Sequence, residues 1–236
     1  MSVQNMLWGG SGTTCCTRPR SVLARSGAPS RKQTLALKEW NVSVAAIEDS
    51  ALGQTVLLRK GGIKEPTFLP KSDTFFFFPT TFHTDGTLLQ ERVPDHLKQL
   101  ANRADGDGSR PDKIKFRSVV RLTGAWSTRD PKVLEETKAL HVWGPGFADK
   151  RLKWRGEQPV TLLEVRAFLL AEPVTVLTKD EYFGCFSWVH IDDPNLPDVL
   201  QKSAIPVLSE NAWEEKKKIL RQALERLSDV EDVMSV

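Results

Sequence analysis

Four consecutive phenylalanines, Phe75 to Phe78, limit what this chain can fold into more than any other feature. Successive side chains of a strand point to opposite faces, so the run puts aromatic rings on both. A strand of that kind has to be covered on each side, which places it inside a sheet rather than at its edge. Pro79 follows, brings no N–H to a ladder, and is expected to stop the strand. With 236 residues, 40% of them apolar and 11 of them Phe, the chain has material for one well-packed core. It has no run of 18 apolar residues, so no membrane span and no membrane partner is expected.

The rest of the chain reads as short elements joined by turns. Trp40, Val42, Val44 and Ala46 alternate with Asn41, Ser43 and Ala45, the pattern of a half-buried strand. Thr55 to Leu58 predicts a second strand, and a turn at 49–53 would pair the two as a hairpin. Pro94 to Arg103 and Pro131 to Leu140 predict helices, the second opening on its proline. Strands are expected over Lys113–Leu122, Val160–Leu170 and Phe186–Ile191. Near the end, Asn211 and Glu214 fit a capping box, and Trp213, Leu220, Leu224 and Leu227 make one apolar stripe expected to dock on the sheet. The fold class expected is α+β. It is a bent, mainly antiparallel sheet or partly closed small barrel with peripheral helices and a C-terminal amphipathic helix.

Charge divides the chain unevenly. No acid precedes Glu39, while Arg18, Arg20, Arg25, Arg31, Lys32 and Lys38 do. The segment therefore takes six of the 33 basic residues and none of the 30 acidic, leaving 27 basic against 30 acidic after residue 38. An Arg- and Ser-rich, acid-free leader without a long apolar run has the composition of an organelle transit peptide. Trp8, Gly9, Gly10, Gly12, Pro19 and Pro29 oppose the amphipathic helix of a mitochondrial leader, which favours the chloroplast over the mitochondrion. The domains expected are a transit peptide over 1–35, with the import machinery as its partner and cleavage within 26–36, one globular domain over 36–208, and a C-terminal helix and tail over 209–236. Cys15 and Cys16 fall in the leader, so the body keeps Cys185 alone and no disulfide.

Several phrases recur in order: Ala36-Leu37-Lys38-Glu39-Trp40, Leu57-Leu58-Arg59-Lys60-Gly61-Gly62-Ile63, Phe78-Pro79-Thr80 with His83, and His141-Val142-Trp143. Arg151-Leu152-Lys153-Trp154, Glu164-Val165-Arg166 and Tyr182-Phe183-Gly184-Cys185-Phe186-Ser187-Trp188 follow. With this series the chain resembles the family catalogued as domain of unknown function 1802, over residues 36–208. That family occurs in cyanobacteria, other bacteria and plants, and some bacterial members are associated with restriction-endonuclease-like domains. The resemblance thus implies a link to nucleic acid without naming a reaction.

Candidate chemistry is sparse. Arg59, Lys60, Gly61 and Gly62 could bind an anion, two cations followed by glycines that let backbone N–H groups approach; a tight turn at a hairpin end is the favoured reading. Lys113, Lys115, Arg117 and Arg121 recur with period two against Ile114, Phe116, Val120 and Leu122. That pattern makes a basic strand face able to track a nucleic-acid backbone. Lys150, Arg151, Lys153 and Arg155 around Trp154 make a second basic patch with a base-stacking ring. His83, His141 and Cys185 are the candidates for nucleophilic or acid–base catalysis. His190 beside Asp192 and Asp193 lacks the spacing of a metal motif, and neither a metal nor a cofactor is expected. Asp112 with Glu136 and Lys138 mimics a nuclease pattern, but Glu136 falls in a helical stretch. Glu164 and Arg166, two apart on a strand, are expected to pair. The function expected is a non-enzymatic binding protein with RNA or DNA as partner. The alternative is a nuclease-like or phosphate-handling enzyme.

Overall fold

Among the described residues, one curled sheet joins all eight strands. The computed structural model describes residues 34–62, 65–80, 85–102, 110–152, 157–193, 196 and 204–234. The leader as far as residue 33, His83, residues 103–109, Lys153, Trp154 and Arg155 lie outside the described residues, as does the side chain of Arg151. Six of the sheet's eight strands follow the path β2-β5-β4-β3-β1-β6. They are β1 (Thr34–Trp40), β2 (Val56–Lys60), β3 (Thr74–Thr80), β4 (Lys113–Thr128), β5 (Val160–Leu177) and β6 (Trp188–Ile191). Two short strands join from the side, β7 (Ala204–Pro206) on β5 and β8 (Glu231–Asp232) on β4. Only β1 and β3 run parallel; the other pairings are antiparallel. The sheet is strongly curled into a half-barrel with helices packed on it, which is the fold class expected. No helix among the described residues is long and apolar enough to cross a membrane.

The phenylalanine run sits where its pattern requires. β3 lies between β1 and β4, and all four rings are buried. Phe75 and Phe77 join Leu37, Val120, Leu122, Val165 and Trp188 in one cluster. Phe76 and Phe78 join Ala36, Phe116, Val119, Val189 and Ile191 in another on the opposite face. Each buried ring contributes roughly 1.5–3 kcal/mol. Pro79 does not stop the strand, which runs on to Thr80. β4 pairs with β3 only as far as Phe76, so Pro79 occupies a stretch laddered to β1 alone, where a missing N–H is tolerated.

Two expectations fail for one reason. The segment after Trp40 is helix α1 (Asn41–Glu48), not a strand, and β1 lies before it. Val42, Ser43, Val44, Ala46 and Ile47 are all buried, so α1 is enclosed nearly all round and its alternation carries no facial information. β2 consequently forms no hairpin with that segment and pairs with β5, more than 100 residues away.

The remaining helices follow the sequence more closely. α2 (Asp95–Asn102) buries Leu97 and Ala101. The stretch after Pro131 makes a short helix, α3 (Val133–Glu136), then a single 3-10 turn at Lys138–Leu140. Pro145–Phe147 forms one further turn, α4. The C-terminal helix, α5 (Glu210–Arg226), is capped by Ser209, whose Oγ accepts from the Ala212 N–H at 3.3 Å; the box expected at Asn211 starts two residues too late. Leu220 and Leu227 join the core cluster of Val56, Leu58 and Leu162, so the apolar stripe docks as expected. Glu164 and Arg166 do not pair with each other. Both reach α5: Arg221 donates to Glu164 at 3.0 Å, and Arg166 to Glu210 at 2.5 Å.

Candidate functional site

The curled sheet has two ends, β2 and the β1–β6 pair, and Arg59 spans them. One terminal guanidinium nitrogen, Nη1, donates to the Lys38 carbonyl at 2.9 Å and to Glu39 Oε2 at 3.1 Å. The other, Nη2, donates to Ser187 Oγ at 3.1 Å, just before β6. Among the described pairings no backbone ladder joins β2 to β1 or β6, so this side chain laces the seam. Phe68 lies 5.1 Å from the guanidinium and stacks in turn on Trp188. Glu39 is 3% exposed. Burial pushes its carboxyl above the usual range, while Arg59, the Trp40 N–H and the Ser43 hydroxyl pull the other way. Removing either partner of such a buried pair leaves the other uncompensated, a loss of about 3–5 kcal/mol.

These contacts decide how the expected anion loop behaves. The Arg59 charge is already met by Glu39. Burial holds the Lys60 ammonium below its ordinary value. A Cβ on Gly61 would come within 2.1 Å of the Glu65 carbonyl oxygen, so this glycine lets two backbone segments cross. Gly62 has open space around its Cα and its carbonyl accepts from Gln158 Nε2 at 3.5 Å. Gly61 serves chain routing at the end of β2.

Cys185 is exposed. It follows Gly184, whose φ of +147° and closeness to the Phe186 ring exclude a side chain. Lys38 reaches over this turn. Its Nζ donates to the Gly184 carbonyl at 2.9 Å and lies 3.8 Å from the centre of the Phe186 ring. Burial lowers the Lys38 pKa, and Cys185 acts in the opposite sense. His141 does not join this group. Its Nδ1 accepts from the Trp143 N–H at 3.1 Å, which puts the proton on Nε2, 3.2 Å from the Leu134 carbonyl. The ring is buried, and burial lowers its pKa to about 4. A neutral imidazole with both nitrogens committed is a structural one. Glu136 lies in α3 and pairs with Arg226, which removes the nuclease-like pattern. Among the described residues no group of three or more His, Cys, Asp or Glu is placed to hold a metal.

The basic strand face is present but broken. Lys113, Lys115, Arg117 and Arg121 are all exposed. Ile114 and Phe116 share a cluster with Val119, whereas Val120 and Leu122 belong to the cluster on the opposite face. Alternation therefore slips at the bulge between Phe116 and Ser118, where β4 spends one residue against four of β5. Lys113 and Lys115 emerge from one face, and Arg121 from the other. Arg117, at the bulge, is felt by Glu48, which accepts from Ser118 on the Lys113 side. Of the second patch, Lys150 is tied to Asp85 at 3.1 Å. A small cleft between β5 and α5, lined by Val165, Arg166 and Trp213, has room for about one water.

Sequence reasoning did not single out Lys38, Glu39 or Ser187 as site residues. They lie in strand and turn contexts without a spacing rule, and only their presence in the recurring phrases marked them. Four of those phrases, ending β1, β2 and β3 and preceding β6, meet at one end of the sheet.

This is a half-barrel α+β domain with a side-chain-laced seam and no deep pocket among the described residues. The chain belongs to the family described as Domain of unknown function (DUF1802), whose model matches residues 36–219. No curated protein and no solved structure matches it significantly.

Proposed function

We propose that this protein is a non-enzymatic binding protein for single-stranded nucleic acid, and that the strand lies along the arm of β4 that precedes its bulge, residues 113–117. The observation that carries this reading is the set Lys113, Lys115 and Arg117. All three are exposed, and none has a salt bridge among the described residues. Alternate strand residues repeat about every 6.7 Å, the scale of successive phosphates in an extended strand. Leu177, 66% exposed and directly opposite Lys113, adds an apolar contact for a base or sugar. Three neutralised phosphates give a log–log salt slope near −2 for single strands. The test is RNA and DNA binding by the full chain across salt, beside K113S/K115S/R117S and beside R121S. Binding falls with salt and is lost in the triple variant, while R121S, changed on the other face, retains it. Salt-independent retention, or a triple variant that still binds, sinks the proposal. The enzymatic alternative has less behind it, since His141 is sealed and Cys185 faces a lysine. We also propose that residues 1–35 direct the chain to the chloroplast, on the strength of their acid-free composition.

A further inference from the structure

We infer that Arg121 and Arg166 form a binding site for a phosphoryl group, separate from the β4 arm and on the opposite face of the sheet. The two arginines sit directly opposite each other in the β4–β5 ladder. Like charges in that relation repel, with Cβ atoms about 5 Å apart. Both guanidiniums nevertheless lie against one ring: Arg121 is 5.7 Å and Arg166 5.5 Å from the centre of Phe168. Arg166 also lies 5.6 Å from Trp213, a buried ring of α5.

Existing partners satisfy only part of this pair. Glu210 accepts from Arg166 Nη1 at 3.4 Å and Nη2 at 2.5 Å, covering one charge. Arg121 has no carboxylate partner among the described residues. Arg166 Nε is buried and has no acceptor. An orphaned buried donor beside an uncompensated, pre-oriented cation calls for an anion. A carboxylate offers two oxygens and fills one guanidinium fork, as Glu210 already does. A phosphoryl group offers three and can accept from both forks at once.

The test is thermal unfolding of the full chain with inorganic phosphate, against acetate and chloride at equal ionic strength. Phosphate gives a saturable rise in melting temperature that acetate does not. R121Q, changed at an exposed position, lowers phosphate affinity roughly tenfold or more. E210Q, which removes the competing carboxylate, raises it. In phosphate-free buffer R121Q melts no lower than the parent, because the like-charge contact is relieved. The site is refuted by an absent or non-saturable phosphate effect, or by R121Q binding phosphate as well as the parent. R121Q melting early without phosphate refutes it too, since Arg121 would then be structural. K113S/K115S/R117S leaves phosphate binding intact, so this site and the strand-binding arm fail or succeed independently.

Discussion

At the scale of single residues, burial decides what the titratable groups do. His141 is the clearest case. Its pKa is held near 4 against an ordinary 6.5, chiefly by burial, with the Arg92 guanidinium adding to the effect. The unfolded chain therefore binds a proton between those values that the folded chain refuses. Its contribution is complete above about pH 6.5 and is lost as pH falls toward 4, reaching about 3 kcal/mol. Glu39 works in the other direction. Its raised folded pKa makes the folded state the better proton binder just above 4.5, so its share of stability declines as pH rises through that window. Urea unfolding at pH 7 and at pH 4.5 separates the two. The parent loses stability on acidification. H141N keeps an acceptor for the Trp143 N–H, is less stable at pH 7, and shows a flatter acid limb. An unchanged acid slope in H141N would assign the sensitivity to other groups.

At the scale of elements, α5 is held by its apolar face first and by ion pairs second. Leu220 is buried, and Leu220→Ala costs about 2–5 kcal/mol. Ser209→Ala removes the cap and costs about 1 kcal/mol. Arg226, mostly exposed in its pair with Glu136, gives less than about 1 kcal/mol when replaced by Ala. Chemical denaturation should rank the three in that order; an Arg226 effect equal to that of Leu220 would mean the helix is anchored electrostatically. The stripe was legible in the sequence because helical spacing over 17 residues has few rival readings. The cap was not, since Ser209 and Asn211 are both good N-caps and only the packing of Trp213 and Leu220 fixes the phase. α1 was misread because eight residues, five of them buried and none exposed, satisfy period two as well as they satisfy a helix. The β4 cations were legible as exposed residues, but not as a divided set, because a bulge depends on the partner strand's spare residues and leaves no mark on its own.

At the scale of the whole molecule, what escaped the sequence is closure. Arg59 meets Ser187 across 128 positions, and no local pattern encodes that distance. The same scale explains the misleading net charge. The chain totals +3, yet beyond residue 38 it carries 27 basic and 30 acidic residues. Five of the six basic residues of that acid-free stretch precede Thr34, so the described residues carry no basic excess, and the proposed binding of nucleic acid rests on local clusters such as the β4 arm rather than on a general field. The proposed import into a chloroplast would give the leader's charge its own use. Residues 1–38 fused to a fluorescent protein should enter chloroplasts, and the native protein recovered from them should begin within 26–36. Replacing Arg18, Arg20, Arg25 and Arg31 by Glu removes the acid-free character and should leave the fusion in the cytosol. Mitochondrial accumulation of the parent fusion would overturn the chloroplast assignment, and recovery of native protein beginning at Met1 would overturn cleavage. If, in addition, the shortened protein binds single strands with the same salt slope as the full chain, the leader contributes nothing to recognition. A shallower slope after its removal would instead mean that its arginines touch phosphate, and the arm alone would no longer account for binding.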